Sequence, residues 1–122
     1  MTVLIRHSSS QQKKYTAQLI NEDGYITKSV SFGAKGMSDF TIHKDAARRM
    51  RYLKRMGGVY PSGKEQNANY QPVTSKTQDW KKSGYDTAGF WSRWLLWNLP
   101  SLSGSAKDIE KRFGLKIVFE LE

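Results

Sequence analysis

The sequence predicts an α+β fold: a small, mostly antiparallel sheet, about three helices and a long irregular arm. Three observations carry that expectation. Two alternating segments flank an Asp-Gly turn near the amino terminus, segments with helical spacing occupy the middle, and a short alternating segment closes the chain. At 122 residues without cysteine, the chain has the length of one domain spanning residues 1–122.

The first hairpin is specified by pattern and by turn chemistry. Lys13 to Asn21 reads as a strand with Tyr15, Ala17 and Leu19 on one face. Glu22-Asp23-Gly24 supplies a turn, because Asp-Gly tolerates positive φ. Tyr25 to Phe32 alternates again, with Ile26, Val30 and Phe32 against Thr27, Ser29 and Ser31. Val3 to His7 is a further strand candidate, joined through Ser8 to Gln12. Gly33 to Gly36 ends the hairpin, and His43 to Met56 follows with helical spacing. Ala46, Ala47, Met50 and Leu53 fall on one side of that helix, and Gly57-Gly58 stops it.

From 57 to 84 no period survives, so this stretch is expected to be an extended loop or arm. Its scattered aromatics, Tyr60, Tyr70 and Trp80, favour an arm that lies against something over a free linker. Ala88 to Leu99 is the second helix, preceded by Asp86-Thr87 as cap candidates and ended by Pro100. Ser105 is a cap candidate for a third helix, with Asp108 completing a capping box. Leu102, Ala106, Ile109 and Phe113 form its apolar side and Gly114 its stop. Lys116 to Leu121 is a final strand, with Ile117, Phe119 and Leu121 on one face.

Charge divides the chain. Residues 1–83 carry 15 basic and 6 acidic side chains, which is the whole net charge of +9; residues 84–122 carry 5 of each. That asymmetry points to a polyanionic or acidic partner for the first two thirds. Lys44, Arg48, Arg51 and Arg55 would fall within a stripe about 60° wide on a helix turning about 100° per residue, the spacing that follows a row of phosphates or carboxylates. Asp45 and Arg49 are placed to pair at i,i+4. Lys13, Lys14, Lys81 and Lys82 add to the basic set, and no base-reading motif accompanies it, so nucleic acid would be held by its backbone.

Phe90-Trp91-Ser92-Arg93-Trp94-Leu95-Leu96-Trp97 is apolar nearly all round as a helix. Phe90, Trp91, Trp94 and Trp97 are therefore expected to divide between the core and a partner-binding surface. Gly58 to Lys64 has the GxxxxGK spacing of a phosphate-binding loop, but Glu65 stands where a magnesium-holding hydroxyl belongs, and the segment follows a helix. A nucleotide site there is rejected.

No catalytic residue, metal site or cofactor is expected. The two histidines, His7 and His43, lie far apart, and the acids show no paired spacing. The lack of cysteine excludes disulfides, thiolate metal sites and a cysteine nucleophile. No run of 18 apolar residues suits a membrane span, and the apolar patch at Val3 to Ile5 is far too short for a signal peptide.

Three stretches carry a resemblance. They are Phe32 to Asp45 (FGAKGMSDFTIHKD), Thr87 to Asn98 (TAGFWSRWLLWN) and Lys107 to Gly114 (KDIEKRFG). Together they resemble an uncharacterised family of small basic proteins of large DNA viruses of algae and protists, over roughly residues 28–118. That family's pattern reads FGAKGxSDYTxHKD, then a basic helix, then TAGFWSRWLLWNKPSL. This chain departs from it with Ala46-Ala47 in place of Pro-Glu, Leu99 in place of Lys, and a longer arm at 59–79.

The resemblance implies a viral protein located in the virion, with no catalytic residues to carry over. The leading expectation is a non-enzymatic minor capsid (cement) protein that bridges capsid proteins through the Trp segment and the arm. Its basic face would meet acidic loops, an inner-membrane surface or packaged DNA, and no small-molecule substrate is expected. The alternative is a viral nucleic-acid-binding protein working through the basic helix.

Overall fold

The computed structural model describes residues 1–64, 67 and 70–121. Strands β1 (Thr2–His7), β2 (Lys13–Ile20) and β3 (Ile26–Ala34) form an antiparallel meander. Asn21 shapes the turn between β2 and β3: its side-chain oxygen accepts from the backbone N–H groups of Asp23 and Tyr25, and Gly24 takes φ +86°. Strand β4 (Lys116–Glu120) returns from the far end of the chain and pairs with β1 in parallel, so the order is β3-β2-β1-β4. The sheet is therefore mixed and mostly antiparallel, and the fold is α+β.

One face of the sheet is the floor of the core. Val3, Ile5, Ala17, Leu19, Val30 and Phe32 are buried there beneath the helices. Along the other face, Arg6 donates to Glu120 at 2.8 Å, and Thr16 and Ser31 share a hydroxyl contact at 3.0 Å. Period-2 alternation thus separates apolar from polar side chains.

The helix expected over His43 to Met56 starts later, at Ala46, and a separate short helix precedes it. That short helix, α1 (Phe40–His43), is capped by Asp39, whose carboxylate accepts from Thr41 N. Lys44 then turns the chain in the left-handed region at φ 56°. Asp45 caps α2 (Ala46–Arg55), accepting from Ala47 N and Arg48 N. The expected helix is therefore opened by Asp45 and not by His43, and α1 is a helical turn that the sequence spacing does not mark.

The buried side of α2 also differs from the expectation. Arg49, Tyr52 and Leu53 are buried while Ala46 and Ala47 are exposed. The sequence reading chose alanines over an aromatic and an arginine that bury more surface.

The expected helix over Ala88 to Leu99 is a single turn, α3 (Ala88–Trp91), that widens into a π-turn over Ser92–Leu96. Thr87 caps α3, accepting from Phe90 N, and the π-turn closes where Trp97 N donates to Ser92 O at 3.0 Å. The extra residue per turn lets Arg93, Trp94, Leu95 and Leu96 all be enclosed.

Helix α4 (Leu102–Phe113) is capped by Ser101, which accepts from Gly104 N. Ser105, the cap candidate, instead lies one turn inside, buried, accepting from Leu99 N. Asp108 does not complete a capping box either; it accepts from Asn98 Nδ2 at 2.7 Å and from Arg112 Nε.

Residues 57–84 pack back onto their own body over the described positions. Val59 N donates to Thr74 O, Lys76 N donates to Gly57 O, and the Ser75 and Thr77 hydroxyls both donate to Met56 O. The C-terminal end of α2 is thereby satisfied by the arm. Residues 65, 66, 68 and 69 fall outside the described residues, Glu65 of the rejected phosphate loop among them.

Candidate nucleic-acid interface

The Trp segment is core. Phe90, Trp91 and Trp94 are at most 1% exposed, and so is Trp80 of the arm. Their indole N–H groups are all spent internally: Trp91 donates to Tyr85 O, Trp94 to Trp80 O, and Trp80 to Gln78 Oε1. Trp97 is half-buried and stacks on Tyr52 at 4.1 Å and 4°. Phe90, Trp91, Trp94 and Trp80 therefore belong to the core, and Trp97 is the ring of the segment that keeps partial exposure. Tyr60 and Tyr70 are half-buried against each other, with ring centroids 5.5 Å apart.

What draws the arm inward is a buried cation. Arg93 has no exposed surface. Its Nε and Nη2 donate to Pro72 O, its Nη1 donates to Trp97 O, and its guanidinium lies 4.2 Å from the Trp94 ring centroid. Burial, then the nearby Arg49 and Arg112 charges, push its pKa down to about 9, which leaves it charged at neutral pH. An aromatic box and two carbonyls hold this cation in place of a carboxylate. Arginines are read from sequence as surface charge, and nothing in the local pattern marks this one as a tie.

Arg49 is a second inward arginine. It does not pair with Asp45; it donates to Asn98 O at 2.9 Å and lies over the Phe40 ring.

With these two removed, the basic surface is sharply defined. Arg48, Arg51, Lys54 and Arg55 stand exposed along α2. No carboxylate lies within ion-pairing distance of any of them among the described residues, whose ion pairs are Arg6–Glu120, Lys14–Asp39, Lys28–Asp86 and Arg112–Asp108. Asp45, the nearest acid in sequence, is committed to the helix amino terminus. Lys44 is not part of the row: it precedes α2, and its ammonium donates to Thr41 O and Pro100 O. The structure therefore brings together Arg48, Arg51 and Arg55 of the expected stripe, adds Lys54, and sets Lys44 aside. Lys54 lies near the Tyr60 ring and Arg55 near that of Tyr52, at 5.8 and 5.6 Å, which steadies two of the four cations.

Lys14 is likewise withdrawn, its ammonium 2.6 Å from the buried carboxylate of Asp39. Lys13, beside it, is exposed, as are Lys81 and Lys82. His43 packs against Trp97, and burial lowers its pKa from the ordinary histidine value. Among the described residues, no three His, Asp or Glu side chains converge as a metal site, and no helix is long and apolar enough to cross a membrane.

A family of unknown function (DUF5754) has a sequence pattern that matches residues 3–56, less than half of the chain. The match runs from β1 through α2, so it includes the basic face and stops short of the Trp segment. No curated protein and no solved structure matches the chain.

Proposed function

We propose that this protein is a non-enzymatic binding module that holds the phosphate backbone of nucleic acid along the outer face of α2. The observation supporting this reading is the row Arg48, Arg51, Lys54 and Arg55, exposed and without acidic partners among the described residues. Four like charges on adjacent turns repel one another, and a polyanion relieves that repulsion. Arginines donate two parallel hydrogen bonds to a phosphate. At about 1.5 Å rise per residue, Arg48, Arg51 and Lys54 follow one another about 4.5 Å apart along the axis of α2, with Arg55 on the same exposed side. The contacts are to phosphates, which carry no sequence information, so affinity is indifferent to base sequence.

Reversing two charges tests the reading. Arg48→Glu/Arg51→Glu weakens binding to a labelled duplex by about tenfold or more near 0.1 M salt, read by fluorescence anisotropy. Unchanged affinity with the fold intact rejects it.

A second reading, a minor capsid protein of a large DNA virus that resides in the virion, is supported by a different surface. A shallow groove of about 550 Å³ runs between α1, the start of α4 and the end of β4, walled by Ile42, Leu102, Phe119 and Leu121. Ile42 is 61% exposed there. With Phe90, Trp91 and Trp94 enclosed, this groove is the surface that would meet a shell protein. Mass spectrometry of purified particles tests the idea: a stoichiometric copy number supports it, and recovery only from infected-cell cytoplasm refutes it.

A further inference from the structure

A cavity of about 330 Å³ opens where the last turn of α2 meets the paired ends of β2 and β3. Arg55 belongs to both surfaces: it is the last exposed cation of the α2 row and a lining residue of the cavity. Lys13 and Lys14 line the same cavity, and Asp39 is its one carboxylate. That carboxylate is already engaged by Lys14 and by the backbone and hydroxyl of Thr41. Lys13 and Arg55 are left as cations without an acidic partner among the described residues.

The free cations of the cavity suit it to a phosphate. Its aromatic rings, Tyr52 and Trp97, stack on each other at 4.1 Å, and the Arg55 guanidinium lies 5.6 Å from the Tyr52 ring centroid. That stacking takes one face of each ring from a nucleobase. The walls are also fixed. A Cβ at Gly33 would stand 2.8 Å from Leu96 Cδ1, and one at Gly89 would stand 2.8 Å from Gln78 Oε1, so the neighbouring elements are already in contact.

We propose that this cavity seats one phosphate of the bound strand, so that the phosphate path leaves the α2 row at Arg55 and ends between Arg55 and Lys13. This rests on the reading of α2 as a backbone-binding face. It extends that reading to a site built from strand and helix together, and it commits to a phosphate within a nucleic-acid chain over a free anion.

The test is the salt dependence of duplex binding for single substitutions. Lys13→Gln and Arg55→Gln each lower the slope of log K against log salt by about 0.9, which near 0.1 M salt is about an eightfold loss of affinity. Lys107→Gln, an exposed cation on α4, leaves the slope unchanged. Lys13 is exposed, so its substitution leaves the melting temperature unchanged and keeps the test clean if Arg55→Gln perturbs α2. A lowered slope for Arg48→Gln with a wild-type slope for Lys13→Gln and Arg55→Gln overturns the cavity proposal while the α2 reading stands. A saturable response to inorganic phosphate alone, with a wild-type duplex slope for Lys13→Gln, makes the cavity a free-anion site and overturns it as well. Absence of salt-dependent binding in the wild-type protein removes the α2 reading itself.

Discussion

Asp39 joins β2 to α1, the short helix that precedes the basic one, and replacing it has a cost that can be worked out. The side chain is 2% exposed. It caps α1 through Thr41 N at 2.9 Å and receives the Lys14 ammonium at 2.6 Å, with Lys14 only 14% exposed at its side chain. Asp39→Asn keeps a good cap and the shape but removes the negative charge, which leaves Lys14 buried and unpaired. Breaking one partner of a buried pair costs about 3–5 kcal/mol. The remaining exposure of Lys14 and the retained cap put the expected loss near the lower bound, about 3 kcal/mol. For a chain of this length that corresponds to a melting temperature lower by roughly 12 °C.

Lys14→Met in the Asp39→Asn background removes the stranded charge and restores about 2 kcal/mol, so the double-mutant cycle shows strong coupling. The assay is urea unfolding followed by tryptophan fluorescence, because three enclosed indoles report loss of the core. Asp39→Asn within about 0.5 kcal/mol of wild type, or a cycle with no coupling, refutes the assignment of this pair as a buried tie.

Other outcomes follow from the same geometry. Arg93→Ala leaves Pro72 O and Trp97 O without their donor and opens a void beside Trp94, for a loss of about 4 kcal/mol in chemical denaturation. Arg93→Lys does not recover it, because an ammonium lacks the fork that reaches both carbonyls; a lysine variant as stable as wild type contradicts the role given to the guanidinium. Burial raises the pKa of Tyr52 above the ordinary tyrosine value of 10.0. The folded chain then keeps a proton that the unfolded chain releases, so stability falls as pH rises above about 10. Tyr52→Phe lessens that alkaline fall in melting temperature, and an identical pH profile for the variant contradicts the buried phenol.

The legibility of the chain divides by the kind of signal. The β2–β3 hairpin was readable because alternation and the Asp23-Gly24 turn agree, and the alternation of Lys116 to Leu121 marked β4. Its parallel place beside β1 was not, since partner choice depends on contacts distant in sequence. The spacing places the start of α2 three residues early, because Lys44 adopts a left-handed conformation that its residue type rarely takes, and α1 is a single turn too short to show a period.

The basic row was legible in part. Arg48, Arg51 and Arg55 keep the predicted spacing, whereas Lys44 and Arg49 spend their charge on backbone carbonyls of the segment 98–100. Local sequence carries no mark of an arginine buried against a carbonyl. The Trp segment illustrates the same limit from the apolar side. Composition says that these rings must be covered, and only the packed structure shows that Arg93, Phe113 and the arm cover them.

The most direct measurement of the central claim is the affinity of the whole protein for duplex DNA across a range of salt. Three or four phosphate contacts from α2 give a log–log slope of about −3 to −4, the same for duplexes of unrelated sequence. A flat dependence, or a slope that survives reversal of the α2 charges, would contradict it.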